Sequence, residues 1–331
     1  MELVCPAGNL PSVKAAVDSG ADAVYIGLNN KTNARYFSGL NFSDSNIEKA
    51  VQYIRDHGRK VFVAINTYPQ EKNWPQWRDA VDTGASLGVD ALIIADIGVM
   101  DYAASRHPHI ARHLSVQASA TSLEALQFYH AQFGIRRAVL PRVLSLKQVE
   151  RLAAKSPIEL EVFGFGSLCI MAEGRCYLSS YVTGDSPNNC GACSPAHAVR
   201  WEESAHILET RLNNVLIDRF QPDEPAGYPT LCKGRFQVEQ HLFHALEEPV
   251  SLNALDMLPQ LADAGIAAIK IEGRQRAPAY IAKVARVWRQ AIDCHARLGA
   301  GYVAQADWHR TLAELAEGSQ TTLGAYHRPW Q

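Results

Sequence analysis

Five of the chain's seven cysteines lie between positions 169 and 232, close enough in sequence to bind one metal group. Six residues separate Cys169 from Cys176, sixteen separate Cys176 from Cys193, and thirty-eight separate Cys193 from Cys232. Cys190 and Cys193 form the single short pair. Four thiolates can bind Zn²⁺, a [2Fe–2S] cluster or a [4Fe–4S] cluster, and structural zinc sites usually use two short pairs. The spacing therefore favours an iron–sulfur cluster gathered from separate loops, with structural zinc and unligated thiols as the alternatives.

The other two cysteines indicate packing rather than chemistry. Cys5 lies in a short apolar segment and Cys294 in an alanine-rich one, where a thiol behaves as a small hydrophobic group. The N-terminus has neither the basic nor the apolar region of a signal peptide, and no apolar stretch reaches the ~20 residues that a membrane span needs. We expect a cytoplasmic protein, whose reducing surroundings make disulfides improbable for an odd number of cysteines.

The composition is that of an ordinary globular protein. Hydrophobic residues make up 47% and charged residues 20% of the 331 positions. The formal net charge is -2, with Lys+Arg 32 against Asp+Glu 34. Proteins dedicated to nucleic acids usually carry a basic excess, because neutralising phosphates supplies much of their affinity. The charge balance therefore argues against a nucleic-acid partner.

Short apolar strands alternate with longer amphipathic helices along the chain, which predicts a parallel sheet covered by helices on its faces. Eight such units favour an α/β fold of the closed (β/α)₈ TIM-like barrel type, which typically needs ~250 residues, as a single domain over 1–331. The helices with the clearest period are at 10–18, 43–57, 122–133 and 278–295. The predicted strands are 3–5, 23–26, 61–65, 91–95, 113–117, 138–140, 160–166 and 266–271.

One long interval breaks this rhythm. About a hundred residues separate the seventh predicted strand from the eighth, and they contain the five clustered cysteines. We predict an inserted iron–sulfur region at 167–250 and a C-terminal tail at 299–331. An insertion at this point leaves from the carboxyl end of the barrel, where barrel enzymes build their active sites.

The segment around the first two clustered cysteines resembles the signature of the collagenase-like peptidase family U32, E-x-F-x₂-G-S-L-C-x₄-G-x-C-x-L-S. The match runs from Glu161 through Cys169 and Cys176 to Ser179, nineteen residues with about nine fixed positions. The resemblance extends over the whole chain. Further similar segments are 6–9, 20–27, 33–35, 115–120, 191–195, 227–235, 270–274 and 321–328.

The resemblance implies a function as well as a fold. Members that are similar along the whole length hydroxylate ubiquinone precursors without O₂, as oxidoreductase subunits that pair with a homologous UbiV-like subunit in a heterodimer. A lipid-binding accessory protein would assist, and prephenate would donate the oxygen. The family's [4Fe–4S] ligands correspond to Cys169, Cys176, Cys193 and Cys232. Cys190 is not part of that ligand set, and Gly174 would let the backbone pass close to the cluster.

A dicarboxylate donor needs cationic anchors, and arginine is preferred for its bidentate fork. Polar residues at the carboxyl ends of the predicted strands are therefore candidates for the site. No H-E-x-x-H or similar histidine spacing indicates a separate metal. The candidates are Arg142, Lys270, Glu272 and Arg274 as catalytic residues and Asn33, Arg35 and Gln117 as substrate-binding residues.

Three other functions stay open from the sequence. Relatives of this family hydroxylate bases of tRNA and rRNA, although those relatives are typically longer. The family name suggests a peptidase, although no Ser-His-Asp order supports one. A non-catalytic electron-transfer subunit is the third, because four cysteine ligands leave no open coordination position on a cluster.

Overall fold

A computed structural model of the chain describes residues 1–37, 39–169, 176–204 and 206–328. The chain forms a parallel eight-stranded sheet wrapped by helices, with a polar insertion at one end. Its first half runs β1 Glu2–Pro6, α1 Leu10–Asp18, β2 Ala23–Gly27, α2 Asp44–Asp56, β3 Lys60–Ile65, α3 Trp74–Ser86, β4 Ala91–Ile94, α4 Ile97–Arg106, β5 Ala111–Leu114, α5 Leu123–Phe133, β6 Arg137–Val139 and α6 Leu146–Ala153.

The second half contains the insertion and the closing strand. It runs β7 Glu159–Ser167, α7 Leu178–Thr183, α8 Pro187–Cys190, β8 Val199–Ser204, β9 Ile207–Leu212, β10 Val215–Phe220, β11 Phe236–Val238, β12 His241–Phe243, β13 Ser251–Asn253, α9 Leu258–Asp263, β14 Ala268–Ile271, α10 Pro278–Leu298, α11 Ala306–Leu315 and β15 Thr321–Thr322.

The sheet closes on itself. Strands β1 to β7 pair in sequence order, and β14 pairs in parallel with both β7 and β1, with Ala268 opposite Glu161 on one side and Glu2 on the other. This confirms the predicted TIM-like barrel. No helix within the described ranges is long and apolar enough to cross a membrane.

Local sequence explains where several barrel helices begin. The side chains of Asn9, Asp96 and Ser122 each accept a hydrogen bond from a backbone N–H in the first turn of the helix that follows. Ser145 and Gln148 form a reciprocal capping box at the start of α6. These caps fix the points at which the chain leaves each strand and turns outward.

The barrel interior mixes an apolar layer with buried charges. Tyr25, Phe62 and Ile93 pack in the interior of the barrel, separately from the larger core between the sheet and the helices. Glu161 and Lys270 point into the same interior and are 1% and 4% exposed. Buried charges are costly unless they are paired, so this layer requires the ion pairs described below.

The insertion adds two small antiparallel sheets, β8–β9–β10 and β11–β12. The chain then returns to the barrel at β13, which pairs antiparallel with β7, and β15 of the tail pairs with β13. Helix α9 precedes β14 as a regular barrel helix.

The fifth and eighth strands are shorter than the sequence predicted. Strand β5 ends at Leu114 rather than at Gln117, and β14 begins at Ala268 rather than at 266. The Ser115 hydroxyl accepts a hydrogen bond from the Gln117 N–H and turns the chain into a short 3₁₀ segment, Val116–Ala118. Gln117 therefore lies beyond β5 rather than at its end.

Candidate functional site at the carboxyl end of the barrel

A cavity of about 50 Å³ opens among the loops that follow the barrel strands. It has room for a few water-sized groups, which is about the size of one carboxylate. Six of the predicted site residues line it: Arg35, Gln117, Arg142, Lys270, Glu272 and Arg274. The sequence did not single out the others that line it, which include Tyr25, Asn66, Ser115, Val139 and Phe163.

Lys270 forms the charged floor of this cavity. Its Nζ donates to Glu161 Oε1 at 2.7 Å and lies 3.9 Å from the centre of the Tyr25 ring. The other carboxylate oxygen of Glu161 lies 3.4 Å from Arg137 Nη1. Burial lowers the pKa of Lys270, although the Glu161 carboxylate opposes that shift. The floor is thus a cation held by a buried carboxylate, able to face an anion or hold a proton.

Arg274 is buried beside the cavity with its donors engaged. Nη1 donates to Asn33 Oδ1 at 2.8 Å, and Nη2 bonds to the carbonyl of Ala34. Asn33 in turn donates to the Leu28 carbonyl at 2.6 Å, so its amide orients Arg274. Burial lowers the pKa of Arg274 to about 10. Arg274 therefore forms a wall of the cavity, and Asn33, which does not line the cavity itself, holds Arg274 in place.

Glu272 is the carboxylate at the mouth. Its Oε1 lies 3.2 Å from Arg35 Nε and accepts from Gln275 Nε2 at 3.1 Å. Burial raises its pKa, but the guanidinium groups of Arg35, Arg276 and Arg142 lower it more, to about 2. Glu272 is therefore an anion that organises the cations around it rather than a proton donor near neutral pH.

Arg142 reaches the mouth from the loop after β6. Its Nη1 donates to the Ser167 carbonyl at 2.6 Å, and the guanidinium lies over the Phe163 ring at 4.6 Å. Both contacts fix its plane at the end of β7, where the cysteine segment begins.

The C-terminal tail covers part of this mouth, which the sequence did not predict. The Tyr326 hydroxyl donates to the Phe163 carbonyl at 3.2 Å, and the ring packs on a small apolar cluster that includes Leu252. Glu317 bonds to Lys233, next to Cys232, and lies 3.8 Å from Arg276. The tail therefore joins the cysteine segment to the loop after β14.

Four cysteines, at positions 169, 176, 193 and 232, lie in the segment next to this rim. Burial raises the pKa of Cys193. The positive charge of Arg35 opposes this rise, and the thiolates of Cys169 and Cys176 add to it. Burial, followed by the thiolates of Cys169 and Cys193, raises the pKa of Cys232 to about 12. These electrostatic effects connect Cys193 with Cys169 and Cys176, and Cys232 with Cys169 and Cys193. That the four cysteines bind a cluster stays a prediction.

Cys190 turns away from this group. Its Sγ lies 3.8 Å from Asp185 Oδ1. Burial raises its pKa, Lys31 opposes that rise and Asp185 adds to it, and these largest contributions include no other cysteine. Gly174, which the sequence associated with the cluster loop, lies outside the described residues. Within the described ranges, no three His, Cys, Asp or Glu side chains are placed to bind a single metal ion.

Polar contacts connect the cysteine segment to the barrel loops. Asn188 Oδ1 accepts from the N–H of Cys176 at 3.2 Å, and its Nδ2 donates to the Cys176 carbonyl at 3.0 Å. The Asn188 carbonyl accepts from the N–H of Tyr68, in the loop after β3, at 2.8 Å. Asn188 therefore holds Cys176 against the barrel. Sequence reasoning missed it because nothing local marks an amide that contacts a residue twelve positions away.

Gly191 is a second point of attachment. Its carbonyl accepts from the N–H of Arg35 at 2.7 Å. The residue has φ +83°, and a Cβ there would come within 2.3 Å of the Asn33 carbonyl oxygen. Only glycine allows the loop with Cys193 to approach the loop after β2 this closely.

Comparison with known proteins places the chain in a family. The model of Peptidase family U32 matches residues 8–329. The chain belongs to this family. It is 29% identical to tRNA hydroxylation protein P1 of Bacillus subtilis, over 97% of the chain and 70% of that relative. It is 31% identical to tRNA hydroxylation protein P of Escherichia coli, over 88% of the chain and 68% of that relative.

A third relative is the Escherichia coli 23S rRNA 5-hydroxycytidine synthase, 30% identical over 88% of the chain but only 39% of that protein. All three names describe hydroxylation of RNA. The predicted membership of the collagenase-like U32 family is thus confirmed.

Proposed function

We propose that this chain is the [4Fe–4S] subunit of an O₂-independent hydroxylase that acts on ubiquinone precursors, as UbiU-like proteins do, together with a UbiV-like partner. One observation carries the proposal. Four cysteines that act on one another electrostatically and a cation-lined cavity lie at the same end of a barrel, and several relatives of the chain are named for hydroxylation.

The residues at the rim fit a cluster by their chemistry. Cys169, Cys176, Cys193 and Cys232 supply four thiolates, and Arg35 supplies a positive charge beside two of them. When bound there, a [4Fe–4S] cluster would supply one-electron chemistry. Cys190, bonded to Asp185, is not in this set.

The chain's own side chains suit one carboxylate of an anionic oxygen donor such as prephenate. Arg142 and Lys270 line the cavity with positive charge, while Asn33 keeps Arg274 oriented as its wall. Lys270 with Glu161 can hold a proton at the floor, and Tyr326 donates a hydrogen bond to the backbone of Phe163, which lines the cavity. A reaction with an O₂-sensitive cluster benefits from an organic donor, because the cluster is not exposed to the oxidant O₂.

RNA is the second candidate substrate, favoured by the names of the relatives. Two features favour ubiquinone precursors instead. The chain resembles UbiU throughout, notably at 191–195, 227–235 and 321–328, and its net charge of -2 does not attract a polyanion. Anaerobic cells lacking this chain should lose ubiquinone and keep their hydroxylated nucleosides. The reverse result would assign the RNA function.

The cluster is tested on protein purified without O₂. We expect a brown protein with about four iron and four sulfide per chain, as the formula requires. Alanine at Cys169, Cys176, Cys193 or Cys232 should remove the colour, and the matched variant Cys190→Ala should keep it. Colourless protein with one tightly bound zinc would contradict the proposal.

The anionic site is tested by Arg142→Ala. Losing one charge-assisted contact costs ~1.5–3 kcal/mol, roughly tenfold to a hundredfold in binding. We expect anaerobic ubiquinone formation to fall by that factor or more with the cluster spectrum intact. Arg274→Ala should abolish it as well and also destabilise the wall. Full activity in both variants would show that the anionic site lies on the partner.

Two further measurements address the donor and the partner. Oxygen-18 in the donor's hydroxyl should appear in the quinone under anaerobic conditions, and label derived from water would exclude the donor scheme. Co-expression with a UbiV-like homologue should give a heterodimer on size exclusion, to which a lipid-binding accessory protein can bind. Full turnover by this chain alone would refute the need for a partner.

A further inference from the structure

Arg35 stands between the two halves of the site. Its side chain lines the barrel cavity and its Nε lies 3.2 Å from Glu272 Oε1. On its other side, the thiolates of Cys193 and Cys169 act on it electrostatically. Arg35 also lines the cavity, so a change of charge at the thiols can reach the cavity through it.

The backbone holds Arg35 there against its own preference. Its φ is +78°, a left-handed conformation that arginine rarely adopts. Three hydrogen bonds fix it: its N–H donates to the Gly191 carbonyl at 2.7 Å, and its carbonyl accepts from Asn41 Nδ2 at 3.1 Å and from the Phe37 N–H at 3.0 Å. Strain of this kind persists where the surroundings determine the conformation, and it concentrates at functional sites.

The bond to Gly191 is informative because of where it lies. Gly191 is two residues before Cys193, and its left-handed turn packs against Asn33 with no room for a side chain. The loop that carries Cys193 and the loop that carries Arg35 are thus joined backbone to backbone. The backbone of Arg35 cannot move away from the Cys193 loop without breaking this junction, and the ion pair with Glu272 holds its guanidinium.

We propose that Arg35 is a positioning residue of the cluster: its fixed positive charge compensates the anionic thiolates and links their charge to Glu272 and the cavity. This rests on the proposed function, and it gives Arg35 a role other than binding substrate. A positive charge near the cluster stabilises its reduced form, because reduction adds negative charge.

The test is the midpoint potential of the cluster in the full chain, purified without O₂ and titrated with visible and EPR detection. Arg35→Asn removes the charge with a residue that tolerates left-handed φ. We expect a more negative potential, equivalent to about a tenfold fall in the equilibrium constant for one-electron reduction, or about 59 mV. Arg35→Lys should restore most of the wild-type value.

Two further variants separate charge from disruption. Glu272→Gln removes the opposing charge and should shift the potential in the positive direction, whereas structural damage would move both variants the same way. Arg59→Gln removes an arginine that pairs with Asp22 just before β3, at the opposite end of the barrel, and should leave the potential unchanged.

The outcomes are distinct. An iron-loaded Arg35→Asn with the wild-type potential overturns the inference, as does a shift of equal size in Arg59→Gln. If Arg35→Asn binds no iron, loading in Arg35→Lys supports the charge role, and failure of both overturns it. Absence of a cluster in the wild-type chain is the separate result that defeats the proposed function itself.

Discussion

Every residue of β2 and β4 in the barrel is buried, whereas five of the six residues of β8 in the insertion are exposed. The barrel is stabilised by continuous apolar packing, with its few interior charges paired. The described part of the insertion, within residues 168–250, contacts the barrel loops and the tail mainly through individual polar contacts, such as those of Asn188, Gly191 and Lys233, with one ring contact between Tyr228 and Phe37. A segment held in this way opens more readily than a packed core, so the cysteines need either these contacts or a bound cluster to stay together.

Removing iron should have the largest effect on the difference in stability between the insertion and the barrel. If the cluster joins the four cysteines, anaerobic chelation should expose the insertion to protease and raise the cleavage rate within 176–246 at least tenfold. Amides of the barrel strands should keep their protection against hydrogen exchange. Loss of protection in β2 and β4 as well would show that the two regions fold as one unit.

The buried charges of the barrel come next. Glu161→Ala leaves the buried Lys270 without its carboxylate, while Arg137 keeps Glu2 and Glu159, and breaking such a buried pair typically costs ~3–5 kcal/mol. Urea unfolding should show that loss. Asp307→Ala, which breaks the exposed Arg310–Asp307 pair, should change stability by less than ~1 kcal/mol. Equal effects would refute the distinction between the two kinds of pair.

Protonation of Glu272 at low pH should destabilise the fold at the cavity mouth. Its pKa is about 2 in the folded chain against an ordinary value of 4.5, because Arg35, Arg276 and Arg142 overcome the effect of burial. A lowered pKa stabilises the fold above 4.5, and the contribution, about 3 kcal/mol, is lost as pH falls toward 2. In the iron-free full chain, Glu272→Gln should flatten the dependence of unfolding free energy on pH over this range. An unchanged slope would place the acid sensitivity elsewhere.

Substitutions at two glycines distinguish the cost of close packing from the cost of backbone strain. Gly191 and Gly184 both have positive φ, but a Cβ at Gly184 meets nothing within 4 Å, whereas at Gly191 it meets the Asn33 carbonyl oxygen. Gly184→Ala should cost only the left-handed penalty, about 1–2 kcal/mol. Gly191→Ala should cost more and accelerate release of iron to a chelator. Similar release from both would show that the junction with Asn33 does not hold the cysteine loop.

The smallest effect is expected at Asn188. Asn188→Ala removes two hydrogen bonds to Cys176, each contributing about 1 kcal/mol, and should speed iron release several-fold. Asn188→Asp keeps the acceptor and should fall between. The neighbouring Asn189 has no side-chain hydrogen bond within the described ranges, so Asn189→Ala should match the wild type. Equal rates of iron release from the Asn188 and Asn189 variants would show that the Asn188 amide does not hold the cysteine segment.

The sequence by itself predicted the barrel and the rim at which its site lies. Period and β-branched composition identify strands locally, and parallel strands with covering helices close in few ways. Because residues at the carboxyl ends of such strands share one face, Arg142, Lys270 and Glu272 could be placed at the mouth in advance. The ligand assignment of the cysteines came from the family resemblance and stays a prediction.

Tertiary structure decided what those side chains contact. Arg274 bonds to Asn33 across 241 positions, and Ser167 meets Glu272 across 105 positions. No local pattern encodes such pairs, because they depend on which loops the closed barrel brings together. The same reason explains why Asn188, Tyr326 and Glu317 were missed, and why Cys190 differs from Cys193. The hydrophobic periodicity of a sequence indicates which residues are buried and which face solvent. Contacts between residues that lie far apart in sequence form only when the barrel closes.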